Sequence, residues 1–254
     1  MNNLVESVVR AILILEELAK NEKGIGITEL SKKLSLSKST VHRLITTLMH
    51  MGLVQQDPIF KTYSLGLKVF ELGFKVINDL EIKKKANPYI EALAKEINET
   101  VHLAIIDNNE IVYIDKVESS RTLKMYSQIG KRAPVHCTAL GKVILAYSDE
   151  KKVESILMHS KLKRYTNNTI TDKDKFKEHL AKVRELGYAI DNIEHEEGVR
   201  CVAAPIFDYT NKVIGAISIS GPTVRISEDR IKELAELITS TAHKISKSLG
   251  YKFN

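Results

Sequence analysis

The sequence predicts an α/β protein of the α+β kind, with a small helical domain carrying a β-hairpin in front and a larger domain built on a largely antiparallel sheet behind. Three observations carry this reading. Residues 27–51 hold two short amphipathic stretches at helical spacing, separated by Ser35-Leu36-Ser37. A strand–turn–strand pattern comes directly after them, from Leu53 to Leu65. From Thr100 onward the apolar period changes to that of strands. At 254 residues the chain has room for two domains or one large one.

Residues 4–20, LVESVVRAILILEELAK, predict one strong helix. Val8, Ile12, Leu15 and Leu18 lie on one side, and Val5, Val9, Leu13 and Ile14 widen the apolar surface. So wide a face fits burial within its own domain or burial against a second subunit. Gly24 and Gly26 close the segment. In the next helix Ile27, Leu30 and Leu34 recur on one side. Leu36 is the apolar residue of the turn and is expected to plug the angle between the two helices. Ser37 can cap the second helix through its hydroxyl.

The second helix buries Val41, Leu44, Ile45 and Leu48 and presents Lys38, Ser39, His42, Arg43, Thr46, Thr47 and His50 on the other side, with no acid anywhere along it. Cations neutralise phosphates, and an arginine can fork onto guanine in the major groove. The solvated face of an ordinary helical hairpin has similar composition. The segment after Gly52 favours DNA. Leu53, Val54 and Gln56 run as a strand, Asp57-Pro58 turns, and Lys61, Tyr63 and Leu65 lead back. A hairpin directly after the second helix is the wing of a winged helix-turn-helix. The expected DNA contacts are Ser37, Lys38, Ser39, Thr40, His42 and Arg43 on the operator, with Thr28, Lys61 and Tyr63 on phosphates.

Past Gly66, residues 67–80 are helical again, with Leu67, Phe70, Phe74 and Ile77 facing one way. This is the expected connector. The resulting division is 1–66 for DNA binding, 67–81 as linker helix and 82–254 as a second domain. A helix is expected over Ile82–Asn98, then two strands joined at Asp107–Glu110, and a further candidate strand at Thr122–Tyr126. Gly130–Pro134 reads as a loop, His136–Lys142 enters a helix, and Glu150–Met158 is another. Thr171–Asp174 has the character of a capping box for a helix that Gly187 stops. Strands are expected at Tyr188–Asn192, Cys201–Phe207 and Val213–Ser220, with an acidic loop at Glu194–Gly198. Ser227 is the expected cap of a long C-terminal helix.

Composition bounds the function. Hydrophobic residues make up 43% and charged residues 28%, with a net charge of +6, which permits nucleic-acid binding without requiring it. No apolar run is long enough to span a membrane and no secretory signal is evident, so a cytoplasmic location without a membrane partner is expected. Two distant cysteines, Cys137 and Cys201, are no disulfide framework. His136, Cys137, Asp191, His195 and Cys201 include the ligand types zinc uses, but their spacing matches no compact zinc pattern. Cys137 beside His136, or Cys201 with His195 and Asp191, could pair a nucleophile with a base. No nucleophile elbow, phosphate loop or metalloprotease motif accompanies them. No enzyme activity, metal or cofactor is expected. Ser218 and Ser220 share one strand face, which lines either a polar site or a small-residue packing seam.

Several segments are similar, in order and spacing, to the isocitrate-lyase-regulator (IclR) family of bacterial transcription regulators. They are SLGLKVFELG, ETVHLAIID, IVYIDKVES, PVHCTALGKVILAY, LGYAIDNIEHEEGVRCVAAPIFD and VIGAISISGP, together with the winged helix-turn-helix. The resemblance covers nearly the whole chain. It implies a regulator, expected to be a repressor, that binds a palindromic double-stranded operator as a homodimer or dimer of dimers. It also implies a GAF-like C-terminal domain that binds a small organic acid. By this resemblance the effector site consists of the backbone amides at Ala139 and Leu140, the side chains of Asp191 and Cys201, and the hydroxyls of Ser218 and Ser220. Relatives often have Gly or Ala where this chain has Leu140, which narrows the site. The alternatives are a sensor whose winged helix contacts proteins and a metal-dependent regulator.

Overall fold

The computed structural model describes residues 4–121 and 127–252, without the side chains of 77–79, so the expected strand at Thr122–Tyr126 lies outside the described residues. The chain divides into two units, Met1–Asp79 and Leu80–Asn254.

The first unit runs α1 (Glu6–Ala19), α2 (Ile27–Lys33), α3 (Lys38–His50), β1 (Val54–Gln56), β2 (Tyr63–Leu65) and α4 (Leu67–Asp79). Its core joins Ile14 and Leu18 of α1, Leu30 of α2, Val41, Ile45 and Leu48 of α3, and Val54 and Tyr63 of the hairpin. Between α2 and α3, Ser35 takes a left-handed conformation at φ +53°. Leu36 packs against the core, as a plug in the angle should. The Ser37 hydroxyl accepts the Thr40 amide at 3.2 Å and so caps α3. β1 and β2 pair antiparallel, with Val54 opposite Leu65 and Gln56 opposite Tyr63, and Ile25 bridges to Tyr63. The Asp57 carboxylate accepts the amides of Ile59 and Phe60 and fixes the hairpin tip. In α1 the inward stripe is Ala11, Ile14, Leu15 and Leu18. Val8 and Ile12, read from the sequence as lying on one side with Leu15 and Leu18, are half exposed, at 54% and 50%.

The second unit is a six-stranded sheet in the order β5-β4-β3-β8-β7-β6, with each neighbouring pair antiparallel. The strands are β3 (Thr100–Asp107), β4 (Glu110–Val117), β5 (Arg132–Pro134), β6 (Ala189–Asn192), β7 (Val199–Phe207) and β8 (Val213–Pro222). Strand alternation sends Val101, Leu103, Val202, Ala204, Ile217 and Ile219 to one face. There they meet α5 (Glu81–Ile97) and α9 (Ile231–Ser248) through Ile90, Leu93, Leu234, Ile238 and Ile245. The other face carries small residues, Ala104, Ala203 and Ala216, and takes α6 (Ala139–Ala146) with α7 (Glu150–His159) and α8 (Lys173–Leu186) beyond. Small residues let α6 approach closely. Within α6, Gly141 packs against the segment that leads into the helix, since a Cβ there would sit 2.3 Å from the Val135 carbonyl oxygen.

Three local expectations are corrected. Arg132–Pro134 is an edge strand on β4 rather than loop. Asp172, inside the expected box, is itself the cap of α8 and accepts the amides of Asp174 and Lys175. Ser227 makes no cap bond, and a 3₁₀ turn at Glu228–Arg230 precedes α9.

Candidate functional site

Helix α3 presents Lys38, Ser39, His42 and Arg43 to solvent, with Thr40 half-buried at the capped end. Thr28, Ser37 and Lys61 are exposed as well. The α3 entrance is pre-ordered by contacts from the Ser37 hydroxyl to those of Ser39 and Thr40, each at 2.9 Å. Further along, Thr46 and Thr47 donate back to the carbonyls of His42 and Arg43, at 2.9 and 3.0 Å. Those hydroxyl protons are therefore turned inward, and Lys38, His42 and Arg43 are the outward donors. Tyr63 is a correction. Its ring is buried in the core at 7% exposure and its hydroxyl accepts from Gln56 Nε2 at 3.0 Å. It faces inward because β2 alternates Tyr63 into the same layer as Val54 and Leu48.

In the second unit one cavity of ≈ 170 Å³ brings together all six residues of the expected effector set, Ala139, Leu140, Asp191, Cys201, Ser218 and Ser220. Sheet register explains the convergence. Asp191 on β6 stands opposite Cys201 on β7, and Cys201 stands opposite Ser220 on β8. Ser218, two residues earlier, shares their face, and its hydroxyl lies 3.4 Å from that of Ser220. Helix α6 starts above this row. Thr138 caps it by accepting the Gly141 amide at 3.2 Å; the first two amides, those of Ala139 and Leu140, have no partner within the helix, and both residues line the cavity.

The cavity floor around Asp191, Cys201, Ser218 and Ser220 is largely buried, while Lys131, Arg132 and Glu196 on the same wall are exposed and charged. Burial pushes the Asp191 carboxyl up to about 7, against the opposing pull of the Glu194 and His195 amides that its Oδ1 accepts and of Lys142. Burial also raises the Cys201 thiol and the Tyr113 phenol, so both stay protonated at neutral pH. Behind Asp191, Lys142 of α6 forms an ion pair with Glu194, and the lysine side chain has no exposed surface. The arrangement offers amide donors at one end and neutral hydroxyls and a thiol along the floor. That suits a small polar anion held by its carboxylate.

Sequence patterning alone missed several wall residues, notably His102, Tyr113 and Ser127. Alternation along ETVHLAIID placed His102 on the Ala104 side, which was the available signal. Among the described residues, no group of three or more His, Cys, Asp and Glu is placed to hold a metal ion. No helix among them is long and apolar enough to cross a membrane.

Comparison with known proteins decides the family. The IclR helix-turn-helix domain matches residues 7–58, and the C-terminal domain of bacterial transcriptional regulator IclR matches residues 74–247. The chain belongs to the IclR family of bacterial transcription regulators. It is 43% identical to the HTH-type transcriptional regulator KdgR of Escherichia coli K12, over 97% of this chain and 94% of that protein. It is 35% identical to the HTH-type transcriptional repressor AllR of the same strain, over 97% of this chain and 91% of that protein. Among solved structures, the IclR protein of Thermotoga maritima superposes with a TM-score of 0.81 at 35% identity, over 97% of this chain and 99% of that one. Like its IclR-family relatives the chain is a DNA-binding transcription regulator and not an enzyme.

Proposed function

We propose that this IclR-family regulator is a repressor that binds a palindromic operator as a homodimer and answers to a small organic acid held in the cavity of its second unit. One observation carries the reading: residues expected to hold a carboxylic acid, scattered from position 139 to position 220, line one buried cavity. The carboxylate belongs at the amides of Ala139 and Leu140, and the rest of the acid along Ser218, Ser220 and Cys201. Lys38, Ser39, Thr40, His42 and Arg43 read the operator, while Thr28, Ser37 and Lys61 support phosphates. A relative named as a repressor supports the sign. The segment 67–81 carries the signal between units by biasing operator-competent and incompetent states. The dimer is supported by apolar side chains left on α1 and α4, including Val8 at 54% and Phe70 at 63% exposure. A bacterial cytoplasm is the compartment in which such a protein meets its operator.

The deciding experiment replaces Ser218 and Ser220 by alanine. Operator binding by the unliganded double variant should match wild type in a gel shift, and release by the inducing acid should be lost. A double variant that still responds normally removes the cavity from the mechanism.

A further inference from the structure

We infer that His102 is a ligand-contacting residue of the cavity, selecting a hydroxylated acid over a plain carboxylic acid of the same carbon skeleton. This rests on the reading of the cavity as the effector site and deepens it. His102 is 3% exposed and forms part of the cavity wall. Its Nε2 lies 2.7 Å from the Ser127 hydroxyl, also on that wall. Its Nδ1 is buried and has no partner among the described residues. Its ring stacks at a tilt on Tyr113, with centroids 5.1 Å apart, so it is held in place. It stands opposite Ser218 in the β3–β8 register, beside the expected ligand hydroxyls.

A buried polar nitrogen without a partner is an unmet demand in the site. The imidazole is neutral, because burial and the nearby Lys116 push its pKa down to about 3. It therefore cannot act as the cation for a carboxylate, and that role stays with the amides of α6 and with Lys131 and Arg132, which also line the cavity. Two hydrogen-bond arrangements are open to it. If Nε2 donates to Ser127, Nδ1 is an acceptor; if Ser127 donates to Nε2, Nδ1 carries the proton and donates. A ligand hydroxyl satisfies Nδ1 in both, since it donates and accepts. An alkyl hydrogen satisfies it in neither. Asp191 on the same wall accepts when ionised and donates when protonated, and a ligand hydroxyl can meet either form. The ligand class is thus a small acid bearing at least one hydroxyl on its chain.

The test uses the full chain and matched acids, gluconate against hexanoate and glycerate against propanoate, with dissociation constants from calorimetry. Wild type should favour the hydroxylated member of a pair by about tenfold or more, as expected when an alkyl group leaves a buried polar atom unpaired. His102→Leu should remove that preference, and His102→Gln, which keeps a donor and an acceptor, should restore part of it. Imidazole ¹⁵N spectra should show the His102 Nδ1 resonance moving when a hydroxylated acid binds, a response that a merely structural histidine lacks. Equal affinity within each pair, a preference that survives in His102→Leu, or an Nδ1 signal unmoved by a bound hydroxy acid overturns the assignment to His102 while leaving the cavity reading intact. If no acid of either kind binds, or if binding is unchanged by Ser218→Ala with Ser220→Ala, the cavity reading falls and takes this one with it.

Discussion

Lys142 and Glu194 pair in the interior of the second unit, joining α6 to the loop that comes after Asp191. Glu194 Oε1 also accepts the Asn192 amide at 3.3 Å, while its Oε2 is buried with no partner among the described residues. The pair holds the helix that supplies the Ala139 and Leu140 amides against the strand that supplies Asp191. Lys142→Met should destabilise the protein by about 3–5 kcal/mol, because it strands a buried carboxylate. Replacing Glu194 by Leu in the same chain should recover most of that loss. Thermal or urea unfolding of the two variants checks it, and a double variant no more stable than the single one contradicts it.

Gly141 predicts a second failure of the same helix. Any Cβ would meet the backbone of residue 135, with the carbonyl oxygen at 2.3 Å and the Cα at 2.4 Å. Backbone cannot rotate away, so Gly141→Ala must push the start of α6 away from the segment at residue 135. We expect a loss of several kcal/mol in stability and a loss of acid binding even where the protein still folds. Unchanged melting would show that α6 can shift freely.

On the DNA side, Arg43→Ala should weaken cognate operator binding by about 1–3 kcal/mol, with much less effect on unrelated duplex. Lys38→Ala should weaken both alike and flatten the salt dependence by about one unit of slope. Tyr63→Phe should leave affinity unchanged, because that hydroxyl is held by Gln56 inside the domain. Fluorescence anisotropy across salt concentrations reads all three.

Two cavity residues pull pH-dependent stability in opposite directions. Asp191 titrates near 4 when unfolded and about 7 when folded, so the folded state holds its proton more tightly. Stability from this group is present at low pH and is lost as pH rises from about 4 to 7, by roughly 4 kcal/mol in total. His102 behaves in reverse. Its folded value of about 3 lies below the usual 6.5, so stability is lost as pH falls from 6.5 toward 3. Asp191→Asn should therefore steepen the acid-side loss, and His102→Gln should relieve it. Unfolding curves between pH 4 and 8 measure both slopes.

The apolar surface of α1 and α4 predicts self-association. Val8→Glu or Phe70→Glu should shift the protein toward monomer in sedimentation and cut operator affinity, without lowering the stability of either unit by more than about 0.5 kcal/mol. A dimer that withstands both changes forms by another surface.

The helical and strand periods made most of this architecture legible. Ser37 announced its cap, and alternation from Thr100 placed Val101 and His102 on opposite faces. Reading Val213–Ser220 as a strand placed Ser218 and Ser220 on one face. What stayed hidden depended on tertiary neighbours. Nothing in the local pattern marks Lys142 as buried; that follows only from α6 being buried along its whole length. Tyr63 looked like a phosphate ligand because strand alternation alone does not say which face of a three-residue strand meets the core. The role of His102 appears only when the partners of both ring nitrogens are counted. In α1, an apolar surface too wide for one interface gave no sign of which stripe, Ile14 with Leu18 or Val8 with Ile12, would be turned inward.

The two faces of the six-stranded sheet are sorted differently, one sealed by α5 and α9 with aliphatic side chains, the other mixing alanines with polar groups beneath α6. Because adjacent residues on a strand serve opposite faces, a substitution at 218 or 220 alters the chemistry of the cavity wall and leaves 217 and 219 to keep the scaffold together. The lining of the cavity can therefore be changed one position at a time without jeopardising the frame, which gives a physical route by which one scaffold can come to hold different small molecules.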